Sequence, residues 1–310
     1  NVVVPDYYAD LPIVREGIAR KYSNIEALDK EVGQLLDQLE KDGILDSSVI
    51  FFWSDHGGNL LRQKRAVGES GLHVPLIVRY PDGFRAGETD KQMVSLMDLG
   101  PTVMSIIGLE PPKYMDGKAF AGPFKQPARK YIYGSADRFD ECTDMQRSVL
   151  DGRFVYIKNF MPDLPLVYRN SYREQIPMNK QLIELNIAGK LQGDAAYIFM
   201  QTKPIEELYD LQSDPYEVHN LADDPFFKEK LIELRTQLSQ WQNEIKDRGF
   251  TPETEIINEF WPGMVQPVTS DVIISESENQ MTLSCNTEGA SIAYQLGNAI
   301  GSDYWQLYTK

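Results

Sequence analysis

One stretch of the sequence decides the fold: Val49-Ile50-Phe51-Phe52-Trp53-Ser54-Asp55-His56-Gly57-Gly58. Its apolar half is too short for a typical helix. A continuous apolar run of this length is typical of a strand buried on both faces of a parallel sheet. A second run lies at residues 74–80 and is ended by the turn residues at 81–83. We predict that both runs are strands of a doubly wound α/β layer.

A long helix is predicted before the first strand, from about Asp10 to Asp42. Asp10 is a candidate for its N-terminal cap, and Gly43 for a left-handed C-terminal cap. A further helix is expected from Leu96 to Ile107, closed by Gly108. Apolar residues spaced by three and four give the long helix one stripe, which we expect to pack in the core. The stripe consists of Val14, Ile18, Tyr22, Ile25, Leu28, Val32, Leu36 and Leu39.

The pattern changes after Gly117, where short runs replace long ones. Residues 148–157 are a hairpin candidate with a tight turn at Asp151-Gly152, and residues 207–211 form a short predicted strand. Residues 226–245 are amphipathic and predicted to be helical. Short β-type runs follow beyond residue 265. We therefore predict three regions: residues 1–125 in the α/β layer, 126–250 in a smaller antiparallel α+β subdomain, and 251–310 in a linker with a short β appendage.

Composition limits the classes of partner. The 310 residues carry a formal net charge of −15, with a pI of about 4.7, which argues against nucleic acid or an anionic membrane as a partner. No stretch is long and apolar enough to predict a membrane span. An anionic substrate would be repelled at long range, so an anion site must be built locally from clustered cations.

Asp55 and His56 follow the first strand directly, at the place where open α/β sheets bind ligands. A carboxylate oxygen and an imidazole nitrogen both suit a divalent cation. Gly57 and Gly58 let the backbone turn away closely. The alternative is that Asp55 caps a turn and His56 is a satisfied partner at the end of a strand.

Three cations, Arg62, Lys64 and Arg65, lie between the two predicted strands. A cationic loop beside a metal site is what binding and polarising a sulfate or phosphate ester requires. The alternative is a solvated basic loop, which is the common explanation for a run of charges.

These segments resemble the type I sulfatases of the alkaline phosphatase superfamily. The resemblance extends in order over residues 1 to about 250 and rests on several separate motifs. They are residues 49–58, Lys64, and residues 71–78, 93–102, 207–217 and 220–222. The resemblance implies that the α/β layer is part of an alkaline-phosphatase-like doubly wound sheet.

The resemblance also assigns roles. Asp55 and His56 match the late pair of metal ligands, with Ca²⁺ as the usual metal and Mg²⁺ as an alternative. Lys64 matches the lysine that contacts the sulfate and stabilises the leaving oxygen, and Arg62 is a second candidate for that contact. Arg138 and Asp140 match a stretch bordering the substrate cleft and are candidates for sugar contacts, although a plain surface loop explains them equally well.

The family's nucleophile, a formylglycine made within a C-x-P-x-R motif, has no counterpart here, because neither Cys142 nor Cys285 is followed by such a motif. The family's early Asp-Asp metal pair is also without a counterpart. The resemblance implies that both belong to an N-terminal part preceding Asn1, which would be this chain's partner. It further implies a periplasmic or secreted enzyme.

The leading hypothesis is hydrolysis of a sulfate ester on a carbohydrate. A phosphoesterase or phosphonate hydrolase of the same superfamily is an alternative, distinguished by its nucleophile. A third possibility is a non-catalytic fragment that binds glycan through the β appendage.

Overall fold

The computed structural model describes residues 2–139, 141–277, 280–297 and 305–309. The chain divides into two compact units, Asn1–Asp247 and Arg248–Lys310. The predicted boundary at 250/251 lies near this division, and the predicted boundary at 125/126 falls inside the first unit and stays a prediction. The helices and strands are α1 (Pro12–Lys41), β1 (Ile50–Trp53), α2 (Glu69–Leu72), β2 (Leu76–Arg79), α3 (Leu99–Ile106), β3 (Ile132–Phe139), β4 (Cys142–Leu150), β5 (Phe154–Asn159), α4 (Pro177–Ile187), α5 (Asp194–Tyr197), β6 (Glu206–Asp210), α6 (Lys228–Glu244), α7 (Glu253–Phe260), β7 (Val272–Ser277), β8 (Gln280–Cys285), β9 (Ala293–Tyr294) and β10 (Gln306–Leu307).

Helix α1 confirms the predicted long helix and corrects its cap. Pro12 occupies the first helical position, where its missing N–H costs nothing. Asp10 caps no backbone group of the helix and is instead paired with Arg15, at 2.5 Å. Gly43 follows the helix with a φ of 70°, as its predicted left-handed conformation requires.

The apolar stripe of α1 is buried only at its beginning. Val14 and Ile18 pack in a core cluster that includes Met178 of α4. Further along, Tyr22 is 58% exposed and Ile25 is 50% exposed. The predicted core packing is therefore confirmed for the first turns of α1, whereas Tyr22, Ile25 and Leu28 are exposed in this chain.

Strands β1 and β2 confirm both predicted strands but pair antiparallel, with Phe51 opposite Val78. The prediction of a parallel sheet buried on both faces is wrong for this pair, since Trp53 and Ile77 are exposed. A parallel return needs a crossover, usually a helix packed over the sheet. The connection here contains the single helical turn α2, so the chain comes back beside the end of β1.

A four-stranded antiparallel sheet, in the order β3-β4-β5-β6, forms the centre of the predicted α+β subdomain. Alternate residues of β5 point to opposite faces. Phe154 and Tyr156 join Leu234 of α6 in a core cluster on one face. Val155 and Ile157 join Val67 in a cluster on the other face, so the cationic loop between β1 and β2 is packed against this sheet.

The second unit contains α7, the hairpin β7–β8 and the pair β9–β10. The hairpin and the pair β9–β10 confirm that short β-type runs follow beyond residue 265. Every strand pairing in the described parts of the chain is antiparallel. No helix in those parts combines the length and the apolar character needed to cross a membrane.

Candidate active site

Asp55 and His56 lie together just beyond the end of β1. Nε2 of His56 is 3.4 Å from Oδ2 of Asp55, so the two side chains point toward the same place. The Asp55 side chain is 79% exposed and therefore accessible to a cation. The structure thus brings the two predicted metal ligands together.

A hydrogen bond fixes the tautomer of His56. Nδ1 lies 2.7 Å from the backbone oxygen of Gly57. A carbonyl oxygen can only accept, so Nδ1 carries the hydrogen and neutral His56 presents the lone pair of Nε2. Histidines that bind metals are commonly oriented by such a bond from their other ring nitrogen.

The separation of the two atoms is compatible with calcium distances. Two ligand atoms 3.4 Å apart subtend about 90° at a cation about 2.4 Å from each, a usual calcium distance. At the shorter magnesium distance the angle opens to roughly 110°, away from the octahedral right angle. Calcium takes six to eight ligands. Within the described residues, no group of three or more His, Cys, Asp or Glu side chains could hold a metal, so a cation at Asp55 and His56 would need further ligands.

Close backbone contacts hold the loop after the pair. The N–H of Gly57 donates to the backbone oxygen of Gly71 at 2.9 Å, and the N–H of Lys64 donates to that of Gly58 at 2.8 Å. A Cβ on Gly57 would stand 2.1 Å from the backbone oxygen of Ser70. Glycine is therefore required at position 57, as the sequence predicts.

Lys64 lies between two residues with left-handed backbone. Arg62 has a φ of 62° and Arg65 a φ of 74°, which is uncommon for residues with a side chain. Nζ of Lys64 is 5.5 Å from the centre of the Tyr172 ring, within the range of a cation–π contact. The loop thus presents the Lys64 side chain in a conformation that its surroundings impose.

Arg62 is buried and anchors the loop to a distant turn. Its terminal nitrogens donate to the backbone oxygens of Tyr216 and Glu217, and Nη2 lies 3.6 Å from the Glu217 carboxylate. Burial raises the pKa of Glu217, against the attraction of Arg62. These contacts give Arg62 a packing role, and its role toward substrate stays a prediction.

A cavity of about 90 Å³ lies beside Lys64. It is enclosed by the cationic loop, the inner residues of β3–β6 and residues 166–173. Asp55 and His56 are not part of its wall. Lys64 therefore lines this cavity, whereas the pair lies outside it at the end of β1.

The remaining predicted residues lie near the cavity. Arg138 is half-buried on β3, beside the irregular register between Ala136 and Arg138, and its neighbour Phe139 lines the cavity. Asp140 lies outside the described residues. The roles of both in sugar binding stay predictions.

Sequence reasoning missed one cationic residue of the cavity wall, Arg173. A signal was available, since residues 168–173 interleave tyrosines with arginines. Only the fold, however, brings this segment opposite the loop that carries Lys64.

Comparisons with known proteins identify the family that the chain resembles. Residues 5–109 match the model of the family described as Sulfatase. An ulvan-active sulfatase of Formosa agariphila is 43% identical over 309 residues, which are 98% of this chain and 52% of that protein. Human N-sulphoglucosamine sulphohydrolase is 26% identical over 287 residues, which are 88% of this chain and 57% of that protein.

The solved structure of a 2-O GAG sulfatase superposes on this chain with a TM-score of 0.58 and 18% identity. The superposition covers 78% of this chain and 46% of that protein. This match shows that the α/β architecture with its antiparallel sheets is the fold of the alkaline-phosphatase-like sulfatases. Together with the sequence matches, it shows that the chain belongs to the type I sulfatase family. The chain spans about half the length of the curated relatives it matches.

Proposed function

We propose that this chain carries part of the active site of a sulfatase that hydrolyses sulfate esters of carbohydrates. The observation that carries the proposal is the Asp55–His56 pair, whose donor atoms converge at the end of β1 with the His56 tautomer already set. The names of the relatives support the class of substrate, since they describe sulfatases of ulvan and of a sulphated amino sugar.

Asp55 and His56 would hold a divalent cation, which we propose to be calcium. When bound, the cation polarises a sulfate oxygen and stabilises negative charge on it. The hydrogen bond to the Gly57 carbonyl keeps Nε2 of His56 available as a ligand. The remaining ligands and the formylglycine nucleophile would come from a preceding part of the same protein, which we propose to act outside the cytoplasm.

Lys64 would stabilise the charge that develops on the sulfate and the leaving oxygen. Its ammonium group is positioned by the left-handed residues on either side and by Tyr172. A preorganised cation stabilises such charge with little reorganisation during the reaction. The net charge of −15 repels anions at long range, so this local cation also contributes to binding the substrate.

Two substitutions in the full-length protein test the proposal. We expect Asp55→Asn and Lys64→Met each to lower kcat/KM for a sulfated saccharide by roughly a hundredfold or more. The controls Asp163→Asn and Lys113→Met remove the same charges from exposed positions and should retain wild-type rates.

Unaltered rates in both Asp55→Asn and Lys64→Met would refute the assignment. A wild-type protein that cleaves a phosphonate monoester and no sulfate ester would favour the phosphonate hydrolase alternative. Absence of hydrolysis for both esters, with glycan still bound, would favour a non-catalytic role.

A further inference from the structure

The cavity beside Lys64 contains groups of both charges. Four cations lie in its wall, Arg62, Lys64, Arg65 and Arg173. Four carboxylates also lie there, those of Asp137, Asp144, Glu207 and Glu217. Asp137 is paired with Arg147 outside the wall, at 2.8 Å. Whether the cavity favours an anion or a cation depends on which of these charges are already neutralised inside the protein.

The carboxylates of the wall are engaged by other protein groups. Both oxygens of Asp144 accept from the buried ammonium group of Lys203, at 2.9 and 2.8 Å. Glu207 accepts from Asn159 at 2.6 Å and from the hydroxyl of Tyr209. Glu217 accepts from the backbone N–H of Glu69 at 2.9 Å and faces Arg62. The cavity is therefore a poor site for a cation.

Arg173 differs from these groups, because no carboxylate of the described residues lies close enough to form an ion pair with it. Arg173 is only 6% exposed, and its Nη2 donates to the backbone oxygen of Tyr168 at 3.2 Å. Its Nε has no hydrogen-bond partner, and within the described part of the chain Arg173 forms no ion pair with an acid. Burial, together with the nearby charge of Arg65, lowers the pKa of Arg173.

A buried guanidinium without a counter-ion is unfavourable unless an anion compensates its charge. An oxyanion in the cavity would supply the missing partner of Nε and offset the repulsion between the two arginines. The cavity of about 90 Å³ has room for a carboxylate or sulfate group.

We propose that Arg173 binds a second oxyanion group of the saccharide substrate, a carboxylate or a sulfate other than the ester that is cleaved. This inference rests on the proposed function. The ester to be cleaved must lie at the Asp55–His56 pair, which is outside the cavity wall. Lys64 lines the cavity, and its backbone N–H donates to Gly58 in the loop that follows the pair, so the cavity would hold a neighbouring anionic group of the same chain of sugars.

The test uses the full-length enzyme and three saccharides that share one cleavable sulfate ester. The first carries no other charge, the second a neighbouring carboxylate, and the third a neighbouring second sulfate. We expect Arg173→Gln to raise KM roughly tenfold or more for the second or third substrate, since a lost charged hydrogen bond costs about that much. KM for the first substrate and kcat for all three should stay within about twofold.

Arg169→Gln is the matched control, because Arg169 lies close by in sequence, is 66% exposed and pairs with Glu174. This variant should leave all three KM values unchanged. An Arg173→Gln enzyme that affects all three substrates alike, or none of them, overturns the proposal. Failure of the wild type to cleave any of the three would instead refute the proposed function.

A measurement on the wild type covers the case in which Arg173→Gln does not fold. Free glucuronate should inhibit cleavage of the doubly charged substrates competitively, and glucose at the same concentration should not. Equal inhibition by both sugars, or inhibition by neither, would also overturn the proposal.

Discussion

At the scale of single residues, His73 and Glu69 form an exposed pair at the end of α2, with His73 Nδ1 in contact with the Glu69 carboxylate. The hydrogen bond with Glu69 raises the pKa of His73. The stability that the pair contributes is therefore complete below the unfolded value of about 6.5, and it is lost as the pH rises through the folded pKa. We expect NMR titration to give a higher midpoint for His73 in the wild-type protein than in the Glu69→Gln variant. Equal His73 midpoints in the two proteins would contradict this pairing.

The sequence could locate the site residues that depend on their near neighbours. Asp55 and His56 follow an apolar strand directly, so their position at its end was predictable. The contacts of Arg62 could not be predicted, since Arg62 donates to the backbone of Glu217, 155 residues later in the sequence. Arg173 was missed for the same reason, because only the packing of residues 166–173 against the loop places it in the cavity wall.

At the scale of elements, α6 is held on the sheet by residues such as Leu234, which is fully buried against β4, β5 and β6. Leu234→Ala should lower the free energy of unfolding by about 2–5 kcal/mol, from lost burial and the cavity left behind. Ile232→Ala is the control on the same helix, 46% exposed, and should cost less than about 1 kcal/mol. Urea unfolding measures the free energy of unfolding of both variants. An equal decrease in Leu234→Ala and Ile232→Ala would show that α6 does not pack as described.

Local turn chemistry made some elements predictable and left others open. The Asp151-Gly152 turn specifies the β4–β5 hairpin, and Gly152 has the positive φ, 93°, that such a turn needs. The apolar runs of β1 and β2 predicted strands correctly but not their direction. Direction depends on how the connecting loop folds, and that loop is held by contacts with a distant turn and with the β3–β6 sheet.

At the scale of the whole molecule, the first unit leaves unusual apolar area exposed. Tyr22, Ile25 and Leu28 of α1 and Ile77 of β2 are all exposed. Large exposed apolar surface marks an interaction site. Since the chain spans about half the length of its relatives, we propose that the preceding part of the protein covers these faces and completes the metal shell.

Calcium binding tests that arrangement. With two protein ligands at the end of β1, the 310-residue chain should bind calcium weakly, with a Kd of about 1 mM or more, because sites with few charged ligands are weak. The full-length protein should bind at least roughly a hundredfold more tightly. Asp55→Asn should weaken calcium binding by the full-length protein, and the exposed control Asp163→Asn should not. Isothermal titration calorimetry measures the calcium affinities of the 310-residue chain, the full-length protein and its two variants. Equal affinity of the chain and the full-length protein would mean that the preceding part contributes no ligands, and that the Asp55–His56 pair is not half of a shared metal site.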